Sequence, residues 1–279
     1  MAVNFWIPPK YGEKFPTAVE KHNAIATEYE AQYDISYWKL YDRLTWDHMM
    51  EYAMPHVKIN GKMLDAGGGT GKWTRAFLKN GVGSAELIDL AEKMMNEGKT
   101  YAKAEGLEDR ITFSIHDIVD LPFDDNEFDL VISQGNPVSY CSNPHAAIEQ
   151  LARVAKPKAP VVISVHNKLA MINYFCYLTG KFSIDDALKL IETSQVITDY
   201  PVYAFTPQEL RDVCIKNRLR VISLVGKSCI SGFVQSDAYL NILDDPTGFE
   251  KTVLLEKKYW DDPSCIGMAG HLQIVCIKE

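Results

Sequence analysis

Between Gly61 and Asn167 the apolar residues fall into short runs separated by longer stretches of helical periodicity. "KMLDA" (62–66), "SAELIDL" (84–90), "ITFSIHD" (111–117), "FDLVISQ" (128–134) and "APVVISVH" (159–166) read as strands. The third of these alternates Ile111, Phe113 and Ile115, the period of a half-buried strand. The intervening segments read as helices. Residues 71–80 set Trp73, Phe77 and Leu78 on one face and stop at Gly81, 91–105 stop at Gly106, and "HAAIEQLARVAK" fills 145–156. Strand and helix in strict alternation predict a parallel, doubly wound α/β sheet with right-handed crossovers. "RVISLVG" (220–226) and "HLQIVCIKE" (271–279) bring the expected strands to seven.

The flanking segments lack this rhythm. From Thr17 to Met54 the chain is aromatic, charged and helical in period, with Tyr29, Tyr33, Tyr37 and Tyr41 four residues apart. Such a stripe either packs a helical layer onto the core or reaches a ligand. Residues 168–205 are too long for an ordinary connection and read as mostly helical, with Tyr174, Phe175, Tyr177 and Phe182 as candidates to close over a site. "TPQEL" opens a further helix with Thr206 as N-cap, Pro207 next and Glu209 completing a capping box. The expected division is a helical N-terminal cap over 1–56 and one α/β domain over 57–279, with lid insertions at about 168–205 and 230–269.

"MLDAGGGTGKWT" (63–74) ends the first strand on a glycine loop. A phosphate loop of the Gly-x4-Gly-Lys-Ser/Thr type needs glycine at 66 and a hydroxyl at 73, where the chain has Ala66 and Trp73. A dinucleotide fingerprint places its third small residue where Lys72 stands. Asp-x-Gly-x-Gly-x-Gly fits completely, through Asp65, Gly67, Gly69 and Gly71, and leaves Lys72 as a helix-surface residue. Asp89 follows at the end of the second strand, and "HDIVDLPF" and "NEFDLVISQG" sit at the ends of the third and fourth.

Together these segments resemble the class I, Rossmann-like S-adenosylmethionine-dependent methyltransferases, in the broad group of quinone- and natural-product-modifying enzymes. The resemblance spans about 60–167, and more loosely the last strands, implying that the seventh runs antiparallel. It implies S-adenosylmethionine as donor and S-adenosylhomocysteine as product. Asp65 would meet the ammonium group, the loop of Gly67, Gly69 and Gly71 would lie against the amino-acid end and ribose, and Asp89 would accept the ribose hydroxyls. Leu90 and Met94 would contact the adenine, Asp117 its amino group, the Ile118 amide a ring nitrogen, and Ser133 and Gln134 would lie beside the cofactor.

Methyl transfer demands positioning more than a catalytic group, so the acceptor is harder to read. His166, at the end of the fifth strand, and Tyr140, after the fourth, are the candidate catalytic residues, with Asn136 and Asn167 nearby and His145 expected to be structural. The net charge of −8 speaks against a nucleic-acid surface. A small-molecule acceptor, apolar or aromatic, fits the lid better. Thiol or metalloid methylation through Cys141, Cys176 or Cys229, RNA methylation, and a non-catalytic S-adenosylmethionine-binding protein are the alternatives. Six cysteines without a CxxC pair indicate a reducing compartment and no metal centre. With no secretory pattern and no apolar span, a cytoplasmic protein is expected. The oligomeric state is open.

Overall fold

A computed structural model describes residues 15–177, 184–198, 200–233 and 237–279. Its centre is a sheet built from β1 (Lys62–Ala66), β2 (Ser84–Ile88), β3 (Ile111–Ser114), β4 (Leu130–Ser133), β5 (Pro160–Asn167), β8 (Leu219–Lys227) and β9 (His271–Lys278). The order is β3-β2-β1-β4-β5-β9-β8, parallel except for β9, which runs antiparallel to both neighbours. This is the seven-stranded arrangement the sequence predicts. Each central strand is apolar on both faces. Met63, Leu87, Leu130, Ile132 and Val162 enter one core, while Leu64, Ile88, Val131, Val161 and Ile163 enter the other. That two-sided burial is why the strands read as continuous apolar runs.

The sheet also carries two strands absent from the sequence reading, β6 (Gln195–Ile197) and β7 (Pro201–Phe205). They form an antiparallel hairpin, and β7 adds to the last residues of β5 through His166↔Ala204 and Asn167↔Phe205. The segment 168–205 is therefore half helix, α8 (Lys168–Tyr177) and α9 (Ile184–Thr193), and half hairpin. β-Branched and aromatic residues at 196–197 and 202–205 flank Tyr200-Pro201, a composition that favours strands once an open sheet edge is available. The side chains of Tyr174, Phe175, Cys176 and Tyr177, and all of Phe182, lie outside the described residues.

Before β1 come α1 (Ala18–Ile25), α2 (Tyr29–Gln32) and α3 (Ser36–His48), the last running on through a π-helical turn at Met49–Ala53. Thr17 and Glu20 form a capping box at α1, and Thr206 and Glu209 form the expected one at α10 (Pro207–Lys216). Each such cap contributes about 1 kcal/mol. α4 (Lys72–Lys79), α5 (Glu92–Ala104), α6 (Pro137–Tyr140) and α7 (Pro144–Val154) follow their strands. α11 (Asp237–Asp244), α12 (Pro246–Tyr259) and α13 (Pro263–Ile266) fill the β8–β9 connection.

These outer elements meet at the strand ends. Leu40 and Leu44 of α3 pack with Val225, Leu243, Val253 and Trp260, so the 230–269 segment lies against α3. Ala18 of α1 packs with Met171, Leu190, Val196 and Tyr200, which joins the N-terminal helix to the 168–205 segment beside Tyr140. Among the described residues no helix is long and apolar enough to cross a membrane.

Candidate functional site

The glycine loop leaves β1 at Ala66 and enters α4 at Lys72. Gly67, Gly69 and Gly71 all have positive φ (76°, 55° and 75°), while Gly68 between them does not. A Cβ on Gly67 would stand 2.4 Å from Pro137 of α6, so backbone conformation and close approach both require glycine there. The loop is pinned to β2 by the Gly67 and Gly68 amides, which donate to the Ile88 carbonyl at 2.8 and 3.1 Å.

Asp65 lies beneath this loop, only 1% exposed. Its Oδ2 accepts from the Thr74 hydroxyl at 2.6 Å, and its Oδ1 has no hydrogen-bond partner among the described residues. Burial pushes its carboxyl up to about 7, opposed by the Thr74 hydroxyl and assisted by the nearby charge of Asp89. Asp89 accepts from the Gly69 amide at 2.8 Å and the Ala91 amide at 2.7 Å, fixing loop and β2 end to each other. Burial raises its carboxyl too, against those amides and His22 of α1. Met94 is buried under the loop and Leu90 is 41% exposed.

Asp117 stands past the end of β3, accepting from the Val119 amide at 3.1 Å, with Ile118 buried beside it. The Ser133 hydroxyl donates to the Ala66 carbonyl at 2.9 Å, so it braces β4 against the end of β1. Gln134 is buried, and neither its Oε1 nor its Nε2 has a partner among the described residues. Asp65 and Gln134 thus present unpaired polar atoms in a buried place, which native structures avoid unless a ligand or water completes them.

Two contacts bind the N-terminal helices to the loop. Glu30 of α2 accepts from the Thr70 hydroxyl at 2.6 Å and from Arg75 at 3.0 Å. Arg75, 6% exposed, also reaches the Thr70 carbonyl and Glu105. Lys72 forms an ion pair with Asp42 of α3. Lys72 is exposed on the surface of α4, as expected, and its ammonium also ties the first turn of that helix to α3.

Next to the loop lies a second cluster. The Tyr140 hydroxyl and His166 Nε2 are 2.9 Å apart, and the Tyr140 ring packs on Tyr200 with 5.3 Å between centroids. Tyr29, Tyr33 and Tyr41 come within electrostatic range of Tyr140, and burial raises the phenols of all four. Each of these rings nevertheless keeps some accessible surface, as does His166. Side chains that are deep yet accessible are candidates to line a hollow. Tyr37 points elsewhere, into the packing of α3 against α11 and α12. Burial drives His166 down to about 3, so its imidazole is neutral.

Several nearby polar residues are structural. Asn167 donates to the carbonyls of Ile266, Gly267 and Ala269, holding the turn before β9. His145 meets the Tyr203 hydroxyl at 3.2 Å. The Cys141 thiol donates to the Val138 carbonyl and burial pushes it up to about 12, while Cys229 is buried against Gly226. Among the described residues no three His, Cys, Asp or Glu side chains group as a metal site.

The sequence reading missed His22, Asp42, Lys227 and His271. His22 packs 6.0 Å from Tyr140 and faces Asp89. Lys227 ends β8 and His271 opens β9, and both lie buried beside Tyr41. One signal was available for His271: if the last strand is antiparallel, its first residue lies on the same edge as the last residue of β5.

Residues 63–158 match the family described as "Methyltransferase domain". The ubiquinone/menaquinone biosynthesis C-methyltransferase UbiE of Roseobacter denitrificans is 31% identical over 160 residues, 57% of this chain and 62% of that protein. The chain thus spans about six-tenths of the length of this curated relative. Among solved structures, the [4+2]-cyclase SpnF superposes with a TM-score of 0.62 at 17% identity, over 96% of this chain and 98% of that one. The putative methyltransferase in complex with the Haloferax volcanii Trm112 activator gives 0.60 at 19%, over 94% and 97%.

Proposed function

Because residues 63–158 form a class I methyltransferase domain, we propose that the protein transfers a methyl group from S-adenosylmethionine to a small-molecule acceptor held in the tyrosine-lined hollow. The observation that carries this reading is the strand-end set of Asp65, Gly67, Gly69, Gly71 and Asp89, with Asp65 Oδ1 buried and without a partner among the described residues. An ammonium group supplies what that carboxylate lacks. The glycine backbone offers room for an amino-acid end, and the N-terminal end of α4 suits its carboxylate. Each oxygen of Asp89 has a lone pair left after its backbone bond, enough to accept two ribose hydroxyls. Leu90 and Met94 would flank an adenine, with Asp117 and the Ile118 amide at its edge and Ser133 and Gln134 at the inner wall.

S-adenosylmethionine, when bound, supplies an electrophilic methyl group on a positively charged sulfur. The chain's own contribution is placement. The described residues of the N-terminal segment (15–56) and of the insertions 168–205 and 230–269 serve as cover, α1 and the β6–β7 hairpin meeting at Tyr140. That roof excludes water, while the Tyr140 hydroxyl and neutral His166 orient a polar edge of the acceptor by hydrogen bonds. A net charge of −8 favours a small acceptor over RNA.

Calorimetry with S-adenosylhomocysteine tests the donor site. Asp89→Ala removes a charged acceptor from two hydroxyls and is expected to weaken binding by about 10- to 100-fold. Unchanged affinity in that variant would sink the assignment.

A further inference from the structure

Strand register lines up three basic residues across the working edge of the sheet. Lys227 of β8 is paired with His271 of β9, and His271 with His166 of β5. Directly opposed residues point to the same face, so the three side chains form a transverse row. The imidazoles of His166 and His271 lie 4.6 Å apart, His271 packs on Tyr41 at 5.5 Å, and Lys227 Nζ stands 4.4 Å from the centre of the Tyr41 ring. Tyr140 closes the far end through its bond to His166.

The row carries more basic than acidic groups. The carboxylate that acts on Lys227 is Asp42, and Asp42 is already ion-paired with Lys72. Among the described residues no carboxylate lies within ion-pair distance of Lys227, although it is 2% exposed. A buried ammonium without a partner is costly, so proteins retain one where a ligand supplies the counter-charge.

Building on the methyltransferase reading, we infer that the acceptor is an organic acid whose carboxylate seats against Lys227, with His271 and His166 along its flank and the rings of Tyr41 and Tyr140 over its body. The carboxylate then acts as the specificity handle, and the atom to be methylated lies on the Tyr140 side, toward the glycine loop. Burial holds the Lys227 ammonium down to about 7, against the pull of Asp42. The other groups facing it are uncharged at that pH: His271, His166 and His48 are pushed low, and Tyr41 is pushed high. An arriving carboxylate favours the ammonium form, so above neutral pH binding takes up a proton. The affinity for acids then falls as pH rises from about 7 to about 9.

The test uses matched pairs of acids and their primary amides, beginning with benzoate and benzamide, titrated into the protein with and without saturating S-adenosylhomocysteine. The acids are expected to bind at least about tenfold tighter than the amides. In Lys227→Met, which keeps the chain length and removes the charge, that preference should vanish while S-adenosylhomocysteine affinity stays the same. Acids that bind no better than amides, or an acid preference that survives in Lys227→Met, overturn the inference. If the variant does not fold, benzoate titrations of the wild-type protein in two buffers of different ionisation heat decide the matter, and lack of proton uptake above neutral pH overturns it. Failure to bind S-adenosylhomocysteine counts against the donor site alone, because the acid–amide comparison is also made without it.

Discussion

At Asp65, burial and function pull in opposite directions. Its carboxyl titrates near 7 in the folded chain, far above an ordinary aspartate, because desolvation outweighs the Thr74 hydroxyl. A raised acid pKa means that the folded state holds the proton more tightly than the unfolded state. Its destabilising effect is absent below the unfolded pKa of about 4, grows as pH rises, and is complete above about 7. Asp65→Asn is therefore expected to raise the melting temperature of the ligand-free protein at about pH 8, at roughly 2–4 °C per kcal/mol for a chain of this size, and to change it little at about pH 4. A ligand ammonium favours the ionised form, so S-adenosylhomocysteine affinity should rise between about pH 5.5 and pH 7.5 in the wild type. In Asp65→Asn that slope should be lost, with affinity about tenfold lower or less. Melting curves and calorimetry across the same pH range check both parts.

Among the elements, α2 is held to the glycine loop by Glu30, Arg75 and Thr70 rather than by a large apolar face of its own. Glu30→Gln keeps the shape and the bond to Thr70 but removes the charge facing a nearly buried guanidinium. Glu105 still engages Arg75, so the expected loss is about 1–3 kcal/mol, read as a lower urea midpoint. Faster amide exchange should appear in 18–33 before it appears in β1 or β4. What the sequence disclosed about elements follows the same division between local and distant causes. Asp65 and the three glycines are legible because their spacing lies within one short segment, and the Thr206 capping box because Glu209 stands three residues on. The β6–β7 hairpin is not, since β7 forms against the end of β5, nearly forty positions away, and β6 then pairs with β7. The Lys227–His271–His166 row needs strand order, direction and register at once, and no single segment holds that information.

For the whole molecule, the question is how far the cover can be separated from the sheet. α3 is part of the core: Leu40 and Leu44 pack with Val225 and Trp260, and the Thr45 carbonyl accepts from the buried Gln273 amide at 3.1 Å. α1 and α2 instead lie over α5 and the hairpin, burying Ala18 and Ala26. Removing residues 1–33 is expected to leave a folded protein that unfolds in one transition but binds S-adenosylhomocysteine at least about tenfold more weakly. Removing 1–56 also strips Met49 and Ala53 from the core beneath the sheet and should give insoluble or unfolded chain. Circular dichroism melts and calorimetry of the two truncations distinguish these outcomes. A well-folded product lacking 1–56 would show that the helical segment is a detachable domain.

The reversal of β9 has a consequence for how such a molecule can be altered. β8 finishes, and β9 starts, on the edge where the glycine loop and the tyrosines stand. The link between them is in essence a hairpin bend, so it can be lengthened without any chain crossing from one rim of the sheet to the other. Here that bend already holds α11, α12 and α13. Whatever is spliced there remains a neighbour of Lys227 and His271, the two residues that bracket the splice. Grafting a different segment between them would change what surrounds the hollow while leaving every strand pairing in place, a natural socket for exchanging one acceptor for another.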